Sequence, residues 1–308
     1  YAEYVRMHGQ NGDQFFLLKA YEEPFEGEND SISLAFHAMP HWMDRFDVDF
    51  DDSAVNFRKN LHKYRVACQQ YVNSVRAQFE PIKSSGMGQA LLAELRRTHN
   101  RVRIIPNWDF SSVNSYTSPW NPARETVAEM EDWIAATAKG EWVLPDDVDD
   151  DTVGTGAGTS SSVEFTPFMY RPDAGNPWSV PDRALYHELV HASRHMRGVA
   201  SDPSVNKGYK NREEYIAIIL ANIYLSEKRW EKFIGNHNSQ SRGAILSGED
   251  AANFLRNPQH VDVPPTTILQ NFKDTQGEFY RDIVNLPPGH PKYNWVQQYD
   301  HEPAAAGS

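Results

Sequence analysis

From residue 54 to 79 the apolar residues Val55, Leu61, Tyr64, Cys68, Tyr71, Val72 and Val75 recur at spacings of three, four or their multiples. This predicts one long amphipathic helix, ended by Pro81. Met87 to His99 predicts a second helix, with Leu91, Leu92 and Leu95 as its stripe. Val127, Met130, Trp133 and Ile134 predict a third over 122–138. The clearest pattern after these lies at Asn211 to Lys228, where Ile216, Ile219, Leu220, Ile223 and Tyr224 form a broad apolar face. Asn211 is placed to cap that helix, and Glu213 and Glu214 sit in its first turn. Strand patterns are shorter. Tyr4-Val5-Arg6-Met7 and Phe15-Phe16-Leu17-Leu18 flank Gln10-Asn11-Gly12-Asp13 and predict a hairpin. Val102 to Ile105 reads as a strand, and Val163 to Tyr170 as another, which Pro167 assigns to a sheet edge or a strand end. Residues 107–122 read as a loop. Signals beyond residue 230 are weaker, with short helices expected at 248–255, capped by Ser247, and at 275–284.

One further helix, Pro181 to Gly198, carries the chemistry. Ser179 is its expected N-cap, with Asp182 three residues on. Pro181 suits a first turn, and Arg194, His195, Arg197 and Gly198 suit a C-terminal end. Within it stands His187-Glu188-Leu189-Val190-His191. Histidines four apart share a helix face and can grip one metal ion, and Glu188 is placed to take a proton from a water at that ion. Two imidazoles and an open position point to zinc. A strand shortly before such a helix matters, because an extended peptide can pair along a free edge.

A third protein ligand is required. The spacing that would supply a histidine six residues beyond His191 fails, since Arg194 and Arg197 occupy the diagnostic positions. His195 lies eight residues from His187, about 12 Å along the axis, and cannot join both. A glutamate from a second helix remains. Glu214 shares a face with Ala217 and Ala221, small residues that permit close helix approach, and is the favoured ligand. Glu213, about 100° away around the helix, is its rival. Tyr209, just ahead of this helix, is the first candidate to donate a hydrogen bond to the oxyanion, with His237 and Tyr224 behind it.

Composition narrows the classes. The 308 residues carry 30 Lys and Arg against 42 Asp and Glu, a net charge of −12, which argues against nucleic acid as the main partner. Cys68 is the only cysteine, so no intrachain disulfide is available. No apolar run approaches the roughly 18 residues of a membrane span, and no signal peptide is visible. The chain starts at Tyr1 rather than Met and is expected to be a processed form or an excised piece of a longer polypeptide. The aspartate runs at 44–52 and 145–151 lack the Gly and Glu of a calcium loop and read as solvated. Gly154-Thr155-Gly156-Ala157-Gly158-Thr159 precedes no helix, so a phosphate-cradling role is not expected.

Leu185 to Ala192, together with Asn211-Arg212-Glu213-Glu214-Tyr215-Ile216-Ala217 and Asn222 to Glu227, resembles the NleD-like family of bacterial effector zinc endopeptidases. Gly156 to Thr159, Val163 to Pro167 and, loosely, Leu91-Leu92 and Val102-Arg103-Ile104 extend the likeness over about residues 86–240. The Glu-Tyr-Ile-Ala run is also similar to the Glu-x-x-Ala of other gluzincin toxins, which supports Glu214. The resemblance implies secretion, or delivery into a target cell, and cleavage of a protein there.

The expectation is therefore an α+β chain with a zincin-like core, mainly helical, whose small mixed sheet has an edge strand bordering the site. Residues 1–85 are expected to form an accessory region, 86–240 the catalytic core and 241–308 an extension packed on it. Zn2+ is the expected cofactor, held by His187, His191 and Glu214, with Glu188 as base and Tyr209 as oxyanion donor. A protein or peptide is the expected substrate, and a parent polypeptide or secretion machinery a further partner. No nucleic acid and no membrane are expected. Two other readings fit the same motif: an amidase acting on cell-wall peptides, and a non-catalytic module stapled by zinc.

Overall fold

In the computed structural model the described residues are 4–8, 14–18, 21–24, 32–36, 70–105, 115–120, 156–171, 173, 175–200, 209, 211–237, 245–256 and 263–301. The expected hairpin is present: β1 (Tyr4–His8) pairs antiparallel with β2 (Gln14–Leu18). The main sheet has five strands in the order β3-β4-β5-β7-β6. They are β3 (Tyr21–Pro24), β4 (Ile32–Phe36), β5 (Val102–Ile105), β6 (Tyr116–Trp120) and β7 (Ser160–Glu164). The pairs β4–β5 and β5–β7 are parallel, while both outer strands run antiparallel to their neighbours. Strands from before and after residue 85 thus share one sheet. A mainly helical α+β chain with a small mixed sheet is what the structure shows.

Two sequence expectations about this sheet are corrected. Of the two positions Pro167 allowed, the strand end holds and the edge does not: the strand around Val163 is interior, with Ser160, Ser161, Ser162 and Val163 buried, and Pro167 lies past its end in a single 3-10 turn. Among the described residues the outer strand beside α3 is β6, which falls where the sequence predicts a loop. Tyr-Thr-Ser-Pro-Trp lacks an apolar alternation, and its proline is tolerated because an edge strand needs only one ladder. The expected helix at 122–138 and both aspartate runs lie outside the described residues.

Helix α1 spans 70–83 among the described residues and continues through Pro81, whose missing N–H removes one bond while Ile82 beyond it is fully buried. Helix α2 (Gly86–Arg96) follows, its Ser85 side chain accepting from the Gly88 N–H. Its first two amides also donate to the Glu227 carboxylate, a negative group at the positive end of a helix. Helix α3 (Pro181–Arg197) and helix α4 (Arg212–Glu227) pack on each other, and α3 lies against β6 and β7. Beyond them come β8 (Lys232–Ile234), β9 (Ile245–Ser247), α5 (Gly248–Ala252), α6 (Pro265–Thr275), α7 (Gly277–Val284) and α8 (Trp295–His301).

Helix α3 begins and ends in ways that hold it firmly. Ser179 does not cap it. Residues 177–179 form a 3-10 turn capped by Asn176, so Ser179 Oγ bonds the Asn176 carbonyl and Val180 takes the N-cap position. At the other end Gly198 is left-handed, φ 65°, and closes the helix. The glycine-rich run then clasps that end: Gly156 N–H donates to the Gly198 carbonyl and Thr159 N–H to that of His195. A Cβ on Gly158 would sit 2.0 Å from the Met196 carbonyl oxygen, so the close approach needs glycine.

A buried polar network binds the helices together. Arg194 on α3 forms two bonds with Glu213 on α4 and one with Gln276 Oε1, and Gln276 in turn donates to Glu94 on α2. Arg197 and Arg97 also bond the fully buried Glu94. Burial raises the Glu94 pKa, but these donors outweigh it and leave the carboxyl below its ordinary value.

Candidate metal centre

Helical geometry brings His187 and His191 together, with their Nε2 atoms 3.2 Å apart. The second helix completes the group. Asn211 accepts from the Glu214 N–H and starts α4 there, while Ala217 and Ala221 are fully buried on the same face. Glu214 Oε2 lies 3.2 Å from His187 Nε2 and 3.5 Å from His191 Nε2. Among the described residues these three offer one ligand atom each, all within 4.8 Å of one another.

The donor set fits a divalent metal. Two imidazole nitrogens and one carboxylate oxygen are ordinary zinc ligands. Glu214 Oε2 is buried yet aligned with no hydrogen-bond donor, although the imidazoles stand beside it. Burial raises the Glu214 pKa, but the facing histidines dominate and hold it well below the usual carboxylate value. Burial pulls His187 down to about 3, while the facing Glu214 carboxylate lifts His191 to about 9 against the pull of burial, so a bound metal would have to displace the His191 proton.

Glu213, the rival, faces elsewhere. Its carboxylate is buried and takes both Nε and Nη2 of Arg194. It neither points to solvent nor serves the histidine rings. Its place is to pin the start of α4 to the end of α3, which brings Glu214 opposite His191.

Glu188 is also buried, which pushes its pKa up to about 7 against the opposing pull of His191 and of a hydrogen bond from Thr117. A base near neutrality is well matched to proton transfer. Thr117 on β6 donates to Glu188 Oε2 at 2.7 Å and lies 3.0 Å from its backbone carbonyl. Glu188 Oε1 makes no hydrogen bond among the described residues. The sequence pattern passed over Thr117, because nothing local links a threonine in a five-residue edge strand to a helix 71 positions away. Thr117→Ser is expected to hold peptide hydrolysis within about threefold, and Thr117→Val to lower kcat about 10- to 100-fold with KM little changed. Equal kcat values for Ser and Val would refute a role in orienting Glu188.

The expected oxyanion donors separate. The Tyr209 hydroxyl is buried and donates to the Gly235 carbonyl, and its ring packs edge-on against Tyr215. It could reach an oxyanion only by giving up that bond. Tyr224 donates to Asp182 and stacks on Tyr186 in the core. His237, just past β8, is the candidate beside the site. Its Nε2 is 3.4 Å from Glu214 Oε2, its ring is parallel to that of His187, and its side chain is 31% exposed.

A family model named Peptidase_M91, described as an effector protein, matches residues 59–233. The match spans both helices of the centre and more than half of the 308 residues. No curated protein matches the chain.

Proposed function

The chain belongs to the Peptidase_M91 effector family and is a peptidase acting on protein; on that premise we propose that it is a zinc-dependent endopeptidase that cleaves a protein inside a target cell. The observation that supports this most is the convergence of His187, His191 and Glu214 beside a buried, hydrogen-bonded Glu188.

His187 Nε2, His191 Nε2 and Glu214 Oε2 would hold the ion. When bound, zinc polarises the scissile carbonyl and acidifies water. The remaining steps belong to the protein. Thr117 holds Glu188 Oε2, so Oε1 is the atom that accepts a proton from the attacking water. The same carboxyl then returns the proton to the leaving amine. His237 is our choice for the oxyanion donor, given its exposure and its place beside His187 and Glu214. The outer edge of β6 has no strand partner among the described residues, and an extended substrate can pair along it. No described helix is long and apolar enough to cross a membrane.

Purified protein is expected to contain about one zinc per chain by elemental mass spectrometry. Incubated with a target-cell lysate, it should create new protein N-termini that disappear with a chelator and return with zinc. Unchanged zinc content in both His187→Ala and His191→Ala would overturn the site. New termini that persist in full after chelation would overturn the chemistry.

A further inference from the structure

Arg183 lies on α3, four residues before His187 and therefore on the same helix face. Its residue exposure is only 4%, yet its Nε and Nη1 have no hydrogen-bond partner. A buried guanidinium with bare N–H groups is costly unless something satisfies it. Its neighbours do not. Asp182 is occupied by Tyr224 and Lys228, Glu214 faces the three histidines, and Glu188 Oε2 is held by Thr117. These carboxylates reach Arg183 through their field, not through a bond.

What Arg183 does touch is Trp178, with its guanidinium carbon 5.2 Å from the ring centroid. Trp178 also packs edge-on against His237, and its own buried Nε1 has no partner. Three buried nitrogens, carrying four N–H groups between them, are therefore without partners close to His187, Glu214 and His237. Four residues of helix is a rise of about 6 Å, and side chains lean toward the helix N-terminus, away from His191. An extended peptide advances about 3.3 Å per residue, so the position nearest these groups flanks the scissile bond rather than the reacting carbonyl.

Building on the endopeptidase reading above, we propose that Arg183 and Trp178 form a subsite for a carboxylate of the substrate, next to the bond that is cut. Arginine binds carboxylates through charge-assisted hydrogen bonds, and the indole face keeps the guanidinium in place. The carboxylate comes from an internal Asp or Glu, or from a free chain end. The chemistry is shared, and the test separates the two.

The test uses matched peptides around a cleaved sequence, with Asp against Asn and Glu against Gln at each flanking position. Each is made with a free and with an amidated C-terminus. Wild-type protein is expected to prefer the carboxylate at one position by about 10- to 100-fold in kcat/KM, chiefly through KM. In Arg183→Met that ratio should fall to within about twofold of unity, and Arg183→Lys should keep part of it. If only the free C-terminus confers the preference, the subsite reads chain ends. No preference in the wild type, or an Arg183→Met loss equal for acidic and neutral peptides, overturns the proposal. Binding of the same labelled pairs to Glu188→Gln, read by fluorescence anisotropy, does not depend on turnover. Tighter binding of the acidic member there supports the subsite even if the endopeptidase reading fails. Equal binding of both members counts against it.

Discussion

Glu188→Gln is expected to lower hydrolysis by about two to four orders of magnitude while leaving the fold and the metal content intact. Glutamine has the same shape and keeps a carbonyl oxygen for the Thr117 hydroxyl, which now bonds Oε2 at 2.7 Å. The substitution removes a carboxylate that burial already pushes toward neutrality, so stability should not suffer. What is lost is the group proposed to take the proton. Glu214 is turned to the histidines and Glu213 to Arg194, so neither carboxylate can replace it. Turnover would be followed on a cleaved peptide by mass spectrometry, with zinc measured on the same sample. A rate within tenfold of the wild type would remove Glu188 from the mechanism.

The second large effect is a contrast between adjacent residues. Glu214→Ala should strip the metal and abolish hydrolysis, yet leave the melting temperature of the metal-free protein nearly unchanged. Glu213→Ala should do the reverse to stability. It would leave Arg194, 1% exposed, without the carboxylate that takes its Nε and Nη2. Breaking a buried pair from one side costs about 3–5 kcal/mol. The bonds from Arg194 to Gln276 and Val199 would remain and soften the loss. Thermal melts with and without a chelator, alongside zinc content, separate the two. If Glu213→Ala lost zinc while keeping its chelated melting temperature, the roles drawn here for the two glutamates would have to be exchanged.

That contrast also shows where sequence reasoning ran out. Choosing Glu214 over Glu213 needed only helical periodicity and the alanines at 217 and 221. The fate of Glu213 needed Arg194, which belongs to another helix. Tyr209 fared similarly. Its position before α4 suggested a donor, but its hydroxyl lies under the backbone carbonyl of Gly235, a partner no spacing could reveal. The α6 and α8 helices went unread because their stripes are short and their stability comes from packing, as in the burial of Ile268, Leu269, Phe272 and Trp295.

By itself the sequence determined what is written in local periods. Two histidines four apart share a face in any α-helix, their acid neighbour comes with them, and a cap residue and a run of alanines mark the second helix. Each depends on geometry that repeats within a few residues. Tertiary structure alone decided which strand forms the sheet edge, that Thr117 reaches Glu188, that Glu213 serves Arg194, and that Arg183 and Trp178 keep unpaired donors beside the site. Those facts concern groups distant in the chain. Their meeting follows from how the helices and the sheet bury their apolar faces against one another, and that packing is a property of the whole fold.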